Sequence, residues 1–314
     1  MKTLKEDIVR LFQKCGADIV RFGAAEKCKD PAVLKLMPEA KTVICAAFRQ
    51  LRGARRGIEE GSTYYQYTTN AVEVLEENVM PVALLRVSAL LEDRGFEALP
   101  QRRSQLIMHE KNSTNFEMDF RDIYREKTAE NMLDFEQCAL DCHLGEMGES
   151  GSVLTDDFGP FQRYVFIITD AEIEPDEAVR PHLCDKCGKC AAACPGNALK
   201  SGSRDPWQCA VYYNGANMTK NPFMPEDAFA DDPERLAIIT GACELSPERA
   251  KEILAQLVFY PTIKQSYRAS ICGRACDTAC YVHLEEKGVL KNQFASPFRK
   301  REPWSFALED FQNS

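Results

Sequence analysis

The 314 residues of this chain, 45% of them hydrophobic, suffice to bury an ordinary core in one large domain or two medium ones, which excludes a tail or linker. A formal net charge of -9 argues against a broadly basic surface, so stable binding to duplex nucleic acid is not expected, although Arg52, Arg55 and Arg56 leave room for a local basic patch. The charged start has no apolar signal region and no later run approaches the roughly 20 apolar residues of a membrane span, so a cytoplasmic protein with no membrane partner is expected.

Apolar positions Leu4, Ile8, Leu11 and Phe12 predict an opening helix over residues 3–16. Residues 18–22 and 42–48 are short, apolar and β-branched and read as core strands of one sheet. Residues 63–94 read as a long helix with a stripe through Val72, Val74, Leu75, Val79 and Val82, broken or kinked near Pro81 and ended by Gly95. Residues 101–127 are polar and irregular and read as a surface excursion, while 129–144 have helical character. Gly145, Gly148, Gly151 and Gly159 then punctuate a loop-and-strand region that ends in a buried strand over 164–169. The fold class is therefore α/β (α+β). The acidic, proline-bounded stretch 172–181 marks the boundary between a mixed α/β domain over 1–174 and a cysteine-rich domain over 175–290, with a C-terminal extension over 291–314.

Fourteen cysteines are many for a cytosolic enzyme, and structural disulfides compete with metal ligation as the reason. Cys15, Cys28 and Cys45 are scattered through predicted helix and strand and read as inert buried thiols, whereas the dense groups lie between Cys184 and Cys280. Cys184, Cys187, Cys190 and Cys194-Pro195 have the C-x2-C-x2-C-x3-C-P spacing of bacterial ferredoxins. A loop wound around a cubane aims three thiolates at one cluster while the fourth points to another. Two 4Fe-4S clusters need four more cysteines, and five follow: Cys209, Cys243, Cys272, Cys276 and Cys280. By pseudo-symmetry with ferredoxins, cluster one takes Cys184, Cys187, Cys190 and Cys280, and cluster two takes Cys194, Cys209, Cys272 and Cys276, with Cys243 in reserve. Zinc would need only four ligands and would leave the proline-terminated spacing unexplained.

Together with these cysteines, the segment 205–213 and the run from Leu144-Gly145 through Gly148, Gly151, Leu154-Thr155, Gly159-Pro160 and Arg163 to Thr169-Asp170 resemble the epoxyqueuosine reductases and related reductive dehalogenases. The resemblance implies an N-terminal domain like the cobalamin-binding domain of reductive dehalogenases, followed by a ferredoxin-like two-cluster domain. It implies a base-off cobalamin between them, reduced by electrons passing from the outer cluster to the inner one and on to cobalt. The implied cofactor contacts are Gly145, Gly148, Gly151, Ser152, Leu154, Thr155, Gly159 and Arg163. Glycines let a backbone approach a bulky cofactor, and Ser152 and Thr155 can bond its amide side chains. Without the resemblance these glycines read as an ordinary strand-connecting loop.

Several residues depart from the family pattern. Ala129, next to Glu130, aligns with the family's aspartate in Val-Asp-x-x-Pro; Cys142-His143 replaces Ala-Gly; the step from Cys272 to Cys276 is one residue longer; and Tyr281 stands in place of a proline. A different small organic substrate is therefore expected. Candidate proton donors are Glu130, His143 and Tyr64, the last beside Tyr65 and Tyr67, with core packing as the competing reading for His143 and its neighbours Cys138 and Cys142. Lys186 and Lys189 offer a landing site for a low-potential ferredoxin or flavodoxin. Three functions compete: a corrinoid-dependent reductase, an accessory protein that carries electrons or a corrinoid for a partner, and a plain two-cluster ferredoxin domain attached to a structural α/β domain.

Overall fold

The computed structural model describes residues 3–63, 66–103, 132–200, 202–257, 262–264, 267–268, 271–307 and 309. Its first six strands are β1 (Ile19–Ala24), β2 (Thr42–Arg49), β3 (Ala98–Gln101), β4 (Glu146–Met147), β5 (Val153–Leu154) and β6 (Gln162–Thr169). The central sheet runs in the order β1-β2-β6-β3, each neighbouring pair antiparallel. Side chains along a strand alternate between faces. Thus Val43, Cys45 and Ala47 of β2 enter one apolar layer with Tyr164, Phe166 and Ile168 of β6, while Ile44, Ala46 and Phe48 enter the other with Val165 and Ile167. The helices Ala32–Leu36 and Phe135–Asp141 cover the first face; Leu4–Lys14 and Met80–Glu92 cover the second. The mixed α/β class follows from this layering.

The opening helix begins at a capping box in which Thr3 and Glu6 satisfy each other's backbone donors. The long helix expected over 63–94 is two: a wide π-type helix, Tyr67–Val79, and the α-helix Met80–Glu92. Pro81 falls in the first turn of the second, where a missing N–H costs nothing.

Beyond β6 the helices Pro206–Tyr213, Arg235–Thr240 and Pro247–Gln256 close a separate core around Trp207, Val211, Tyr212, Ile238 and Ile253. The two halves are not separated by a gap at the expected boundary. Leu154, Phe158 and Phe161 share one apolar cluster with Leu183, Tyr281, Leu284 and Phe298. Residues 291–307 also fold back: Trp304 Nε1 donates to Ile58 O at 2.9 Å, Arg299 Nε donates to Glu59 at 2.6 Å, and a Cβ at Gly61 would stand 2.5 Å from the Trp304 ring.

The basic patch suggested by Arg52, Arg55 and Arg56 does not form. Arg55 is 3% exposed and lies over the rings of Tyr67 and Phe161, Arg52 pairs with Glu285, and Arg56 pairs with Glu60. Among the described residues no helix is long and apolar enough to cross a membrane.

Candidate iron–sulfur centres and adjoining cavity

The first ferredoxin-type cysteines sit on a loop that a buried carboxylate holds from behind. Glu146 of β4, 5% exposed, accepts backbone N–H bonds from His182, Leu183 and Cys184, the last at 2.7 Å. Gly188, with φ +74, turns the chain into the short helix Lys189–Ala192. As a result Cys184, Cys187 and Cys190 line one small cavity together with Cys280 from the helix Ala275–Glu286. Cys187 is exposed, which puts this set at the surface.

The other set has no exposed member. Cys194, Cys209, Cys272 and Cys276 line a second, larger cavity of about 660 Å³. The Cys194-Pro195 turn is held by Asn217 Nδ2, which donates to Pro195 O at 2.7 Å. Gly241, with φ +79, passes so close that a Cβ would meet Pro195 O at 2.2 Å. Cys243 follows that turn but belongs to the separate core, and its carbonyl accepts from Gln208 Nε2 at 2.7 Å. It lines neither of the two cysteine cavities.

The donor chemistry of both sets suits iron–sulfur clusters. A single tetrahedral zinc ion would draw its sulfurs to about 3.8 Å from one another. Among the described residues no three thiols lie within 4.8 Å of each other; the ligating group that does is Asp185, Cys187 and His283, on the rim of the first set, where His283 Nε2 is 2.9 Å from the Asp185 carboxylate. Backbone amides already point at sulfur: Glu149 N–H donates to Cys184 Sγ at 3.4 Å and Ala198 N–H to Cys194 Sγ at 3.3 Å. Burial pushes the free Cys272 thiol up to about 12 and raises Cys209, Cys276 and Cys280 as well. Coordination to iron reverses that preference, since a metal-bound thiol is deprotonated outright.

The large cavity has a charged wall opposite the cysteines. Glu136 receives Arg103 Nη2 at 2.8 Å; burial pushes its carboxyl up, but the Arg103 guanidinium outweighs this and holds it at about 2. Asp134 caps the helix Phe135–Asp141 by accepting from Gln137 N at 2.9 Å, and burial raises its pKa. Arg163, which pairs with Glu76 at 3.5 Å, and Arg204 and Arg274 add to the charged lining.

Residues 178–200 match the 4Fe-4S binding domain family model. A tetrachloroethene reductive dehalogenase from Desulfitobacterium hafniense is 42% identical over 72 residues, covering 22% of this chain and 13% of that protein. A catabolic reductive dehalogenase solved in complex with 3-bromo-4-hydroxybenzoic acid superposes with a TM-score of 0.51 at 14% identity, over 95% of this chain and 41% of that one. The fold of this chain is similar to that of the dehalogenase. It is also similar to epoxyqueuosine reductase from Bacillus subtilis, with a TM-score of 0.45 at 16% identity over 91% of this chain and 83% of that one. The chain spans less than half the length of the dehalogenases it matches.

Within this fold, the residues expected to contact a corrinoid divide sharply. Gly151 and Arg163 line the large cavity, and Ser152 lies in a small polar recess beside it. Gly145, Gly148, Leu154, Thr155 and Gly159 do not line it. A Cβ at Gly145 would stand 2.0 Å from Leu154 O, and Gly148 backs onto the Leu154 side chain, so both glycines serve the close β4–β5 hairpin. Gly159, with φ +55, faces Leu284, Leu154 is fully buried, and Thr155 Oγ1 donates to Gln162 at 2.7 Å. Ser152 Oγ donates to Asp277 at 2.7 Å and accepts from Arg274 at 2.8 Å and Arg204 at 3.3 Å, so its hydrogen-bonding capacity is spent within the protein.

Among the expected proton donors, His143 occupies the left-handed position (φ 58) that ends the helix Phe135–Asp141 and lies outside the cavity lining. Cys138 and Cys142 are fully buried under the sheet, with Cys142 Sγ on Val43 O at 3.4 Å. Tyr64 and Glu130, with Ala129, lie outside the described residues. Sequence reasoning missed Glu146, Asp134 and Glu136. Alternation of acid and apolar residue through Leu133, Asp134, Phe135 and Glu136 was the available signal for the last two.

Proposed function

We propose that the chain is a reductase that holds two 4Fe-4S clusters, the outer on Cys184, Cys187, Cys190 and Cys280 and the inner on Cys194, Cys209, Cys272 and Cys276, and works on a small organic molecule in the cavity beside the inner set. One observation carries this reading: the inner cysteines form part of the cavity wall, so an electron delivered there passes directly to what the cavity holds. The exposed Cys187 edge is the entry point for a ferredoxin- or flavodoxin-like donor, with Lys186 beside it; Lys189 is occupied by Glu286. Similarity to the reductive dehalogenase fold suggests a base-off corrinoid in this cavity, resting against Gly151 and Arg163. When bound, it would supply a strongly reducing cobalt centre. The chain's own residues would then orient the substrate through Arg103 and Arg204 and deliver a proton from Asp134, whose carboxyl stands on the cavity wall with its pKa raised by burial.

A second reading, an accessory electron carrier without corrinoid, draws support from Gly145, Gly148 and Gly159, which back onto protein. Anaerobic production with cobalamin supplied, followed by iron, sulfide and cobalt analysis, separates the two. About eight irons with one cobalt, and turnover from a reduced viologen, support the reductase. About eight irons without cobalt uptake leave the carrier, and iron well below eight sinks both.

A further inference from the structure

The segment 149–151 runs between the two cysteine sets. Glu149 and Ser150 line the outer cavity, the Ser150 carbonyl accepts Arg204 Nη2, and Gly151 and Arg204 line the inner cavity. Ser150 itself is 1% exposed, and its hydroxyl has no hydrogen-bond partner among the described residues. A buried hydroxyl is seldom left unpaired, because it has given up water without compensation. The groups sharing its cavity include four thiols, and the residue before it already donates to one of them, Cys184 Sγ at 3.4 Å.

We propose that Ser150 Oγ donates a hydrogen bond to sulfur of the outer cluster and thereby raises its reduction potential. This rests on the reading that Cys184, Cys187, Cys190 and Cys280 hold a 4Fe-4S cluster. Reduction adds one negative charge to the cluster, and a donor dipole fixed beside sulfur on a buried side chain stabilises the more negative state. Glu149 N–H supplies one such dipole from the backbone, which substitution cannot remove; Ser150 supplies a second that it can. Ser150 is therefore a positioning residue for the electron, setting how readily the outer cluster accepts from a carrier and how much driving force remains for the inward step.

The test is a potentiometric titration of the anaerobic holoprotein followed by electron paramagnetic resonance, comparing wild type with Ser150→Ala and Ser150→Thr. The outer signal is assigned by its faster relaxation with a water-soluble paramagnetic chelate, because Cys187 is exposed. Ser150→Ala is expected to lower the outer reduction equilibrium up to about tenfold, which for one electron is about 59 mV, and to leave the inner midpoint in place. Ser150→Thr, which keeps the hydroxyl, is expected to hold the wild-type value. An unmoved outer midpoint in a fully loaded Ala variant overturns the proposal, as does a Thr variant that falls equally far. Should the Ala variant not load, Ser150→Gly carries the same comparison. A wild-type chain that binds no outer cluster fails the cluster reading itself, before the titration begins.

Discussion

Tyr281 lies flat on Phe161, with ring centroids 4.1 Å apart and planes 2° from parallel. Phe161 precedes β6, and Tyr281 follows Cys280 in the helix that supplies two of the eight proposed ligands. The stack therefore fixes the helix Ala275–Glu286 against the sheet domain, and the residue that departs from the family's proline is a packing anchor. Stacked aromatic pairs contribute about 0.5–1.5 kcal/mol beyond their burial. Tyr281→Ala is expected to cost about 3–5 kcal/mol and to lower iron content along with the thermal midpoint. Tyr281→Phe keeps the stack, and an equal loss there would show that the hydroxyl matters more than the ring.

Glu146 collects the amides of His182, Leu183 and Cys184 behind the first cysteine of the outer set. Hydrogen bonds to a charged acceptor contribute about 1.5–3 kcal/mol each. Glu146→Ala strands these donors, so the outer cluster is expected to load poorly while the inner one persists. Iron analysis with Mössbauer spectra reads this directly, and full loading in the variant would remove Glu146 from the account.

Cys243 sits in the core of the second half, 7% exposed and apart from both cysteine cavities. Cys243→Ala should retain about eight irons, whereas Cys280→Ala and Cys272→Ala should each lose about half. A Cys243→Ala protein with about four irons would exchange its role with one of the assigned ligands.

Asp134→Asn tests the proton assignment without removing the helix cap, because asparagine caps as well as aspartate. Turnover is expected to fall by about a hundredfold or more, with iron content and thermal midpoint unchanged. Asp134→Ala should in addition lose about 1 kcal/mol of stability. Undiminished turnover in Asp134→Asn would move the acid elsewhere.

The Arg103–Glu136 pair gives a pH dependence with a definite sign. Glu136 has its pKa depressed from 4.5 to about 2, so its stabilising contribution is present above 4.5 and is lost as pH falls toward 2. Wild type should exceed Glu136→Gln in thermal midpoint by a constant margin at pH 6 and 5, and the margin should narrow at pH 4 and 3. A margin that widens on acidification would contradict the pairing.

Much of the scaffold could be read from local pattern. The strands around Ile44 and Phe166, the break near Pro81 and the ferredoxin-type run from Cys184 to Cys194 all follow from short-range periodicity or from fixed ligand spacing. Roles created by distant contacts could not. Glu146 resembles any acidic loop residue until its carboxylate meets amides some 36 residues later, and Arg55 looks like surface charge until Phe161 and Tyr67 close over it. The glycines are ambiguous for a related reason: Gly145 is required by a neighbouring carbonyl, and a tight approach to protein leaves the same trace in sequence as a tight approach to a cofactor.

The interleaving of the two cysteine sets has a consequence for biosynthesis. Each set joins residues from the loop near 190 to a residue on the helix Ala275–Glu286, so neither is complete until that helix has left the ribosome. A nascent chain that has passed Cys194 but not Cys272 presents only open coordination sites. On the proposed two-cluster reading, metal delivery is a late event, both centres become fillable within a few residues of synthesis, and a truncation upstream of the final helix forfeits both together.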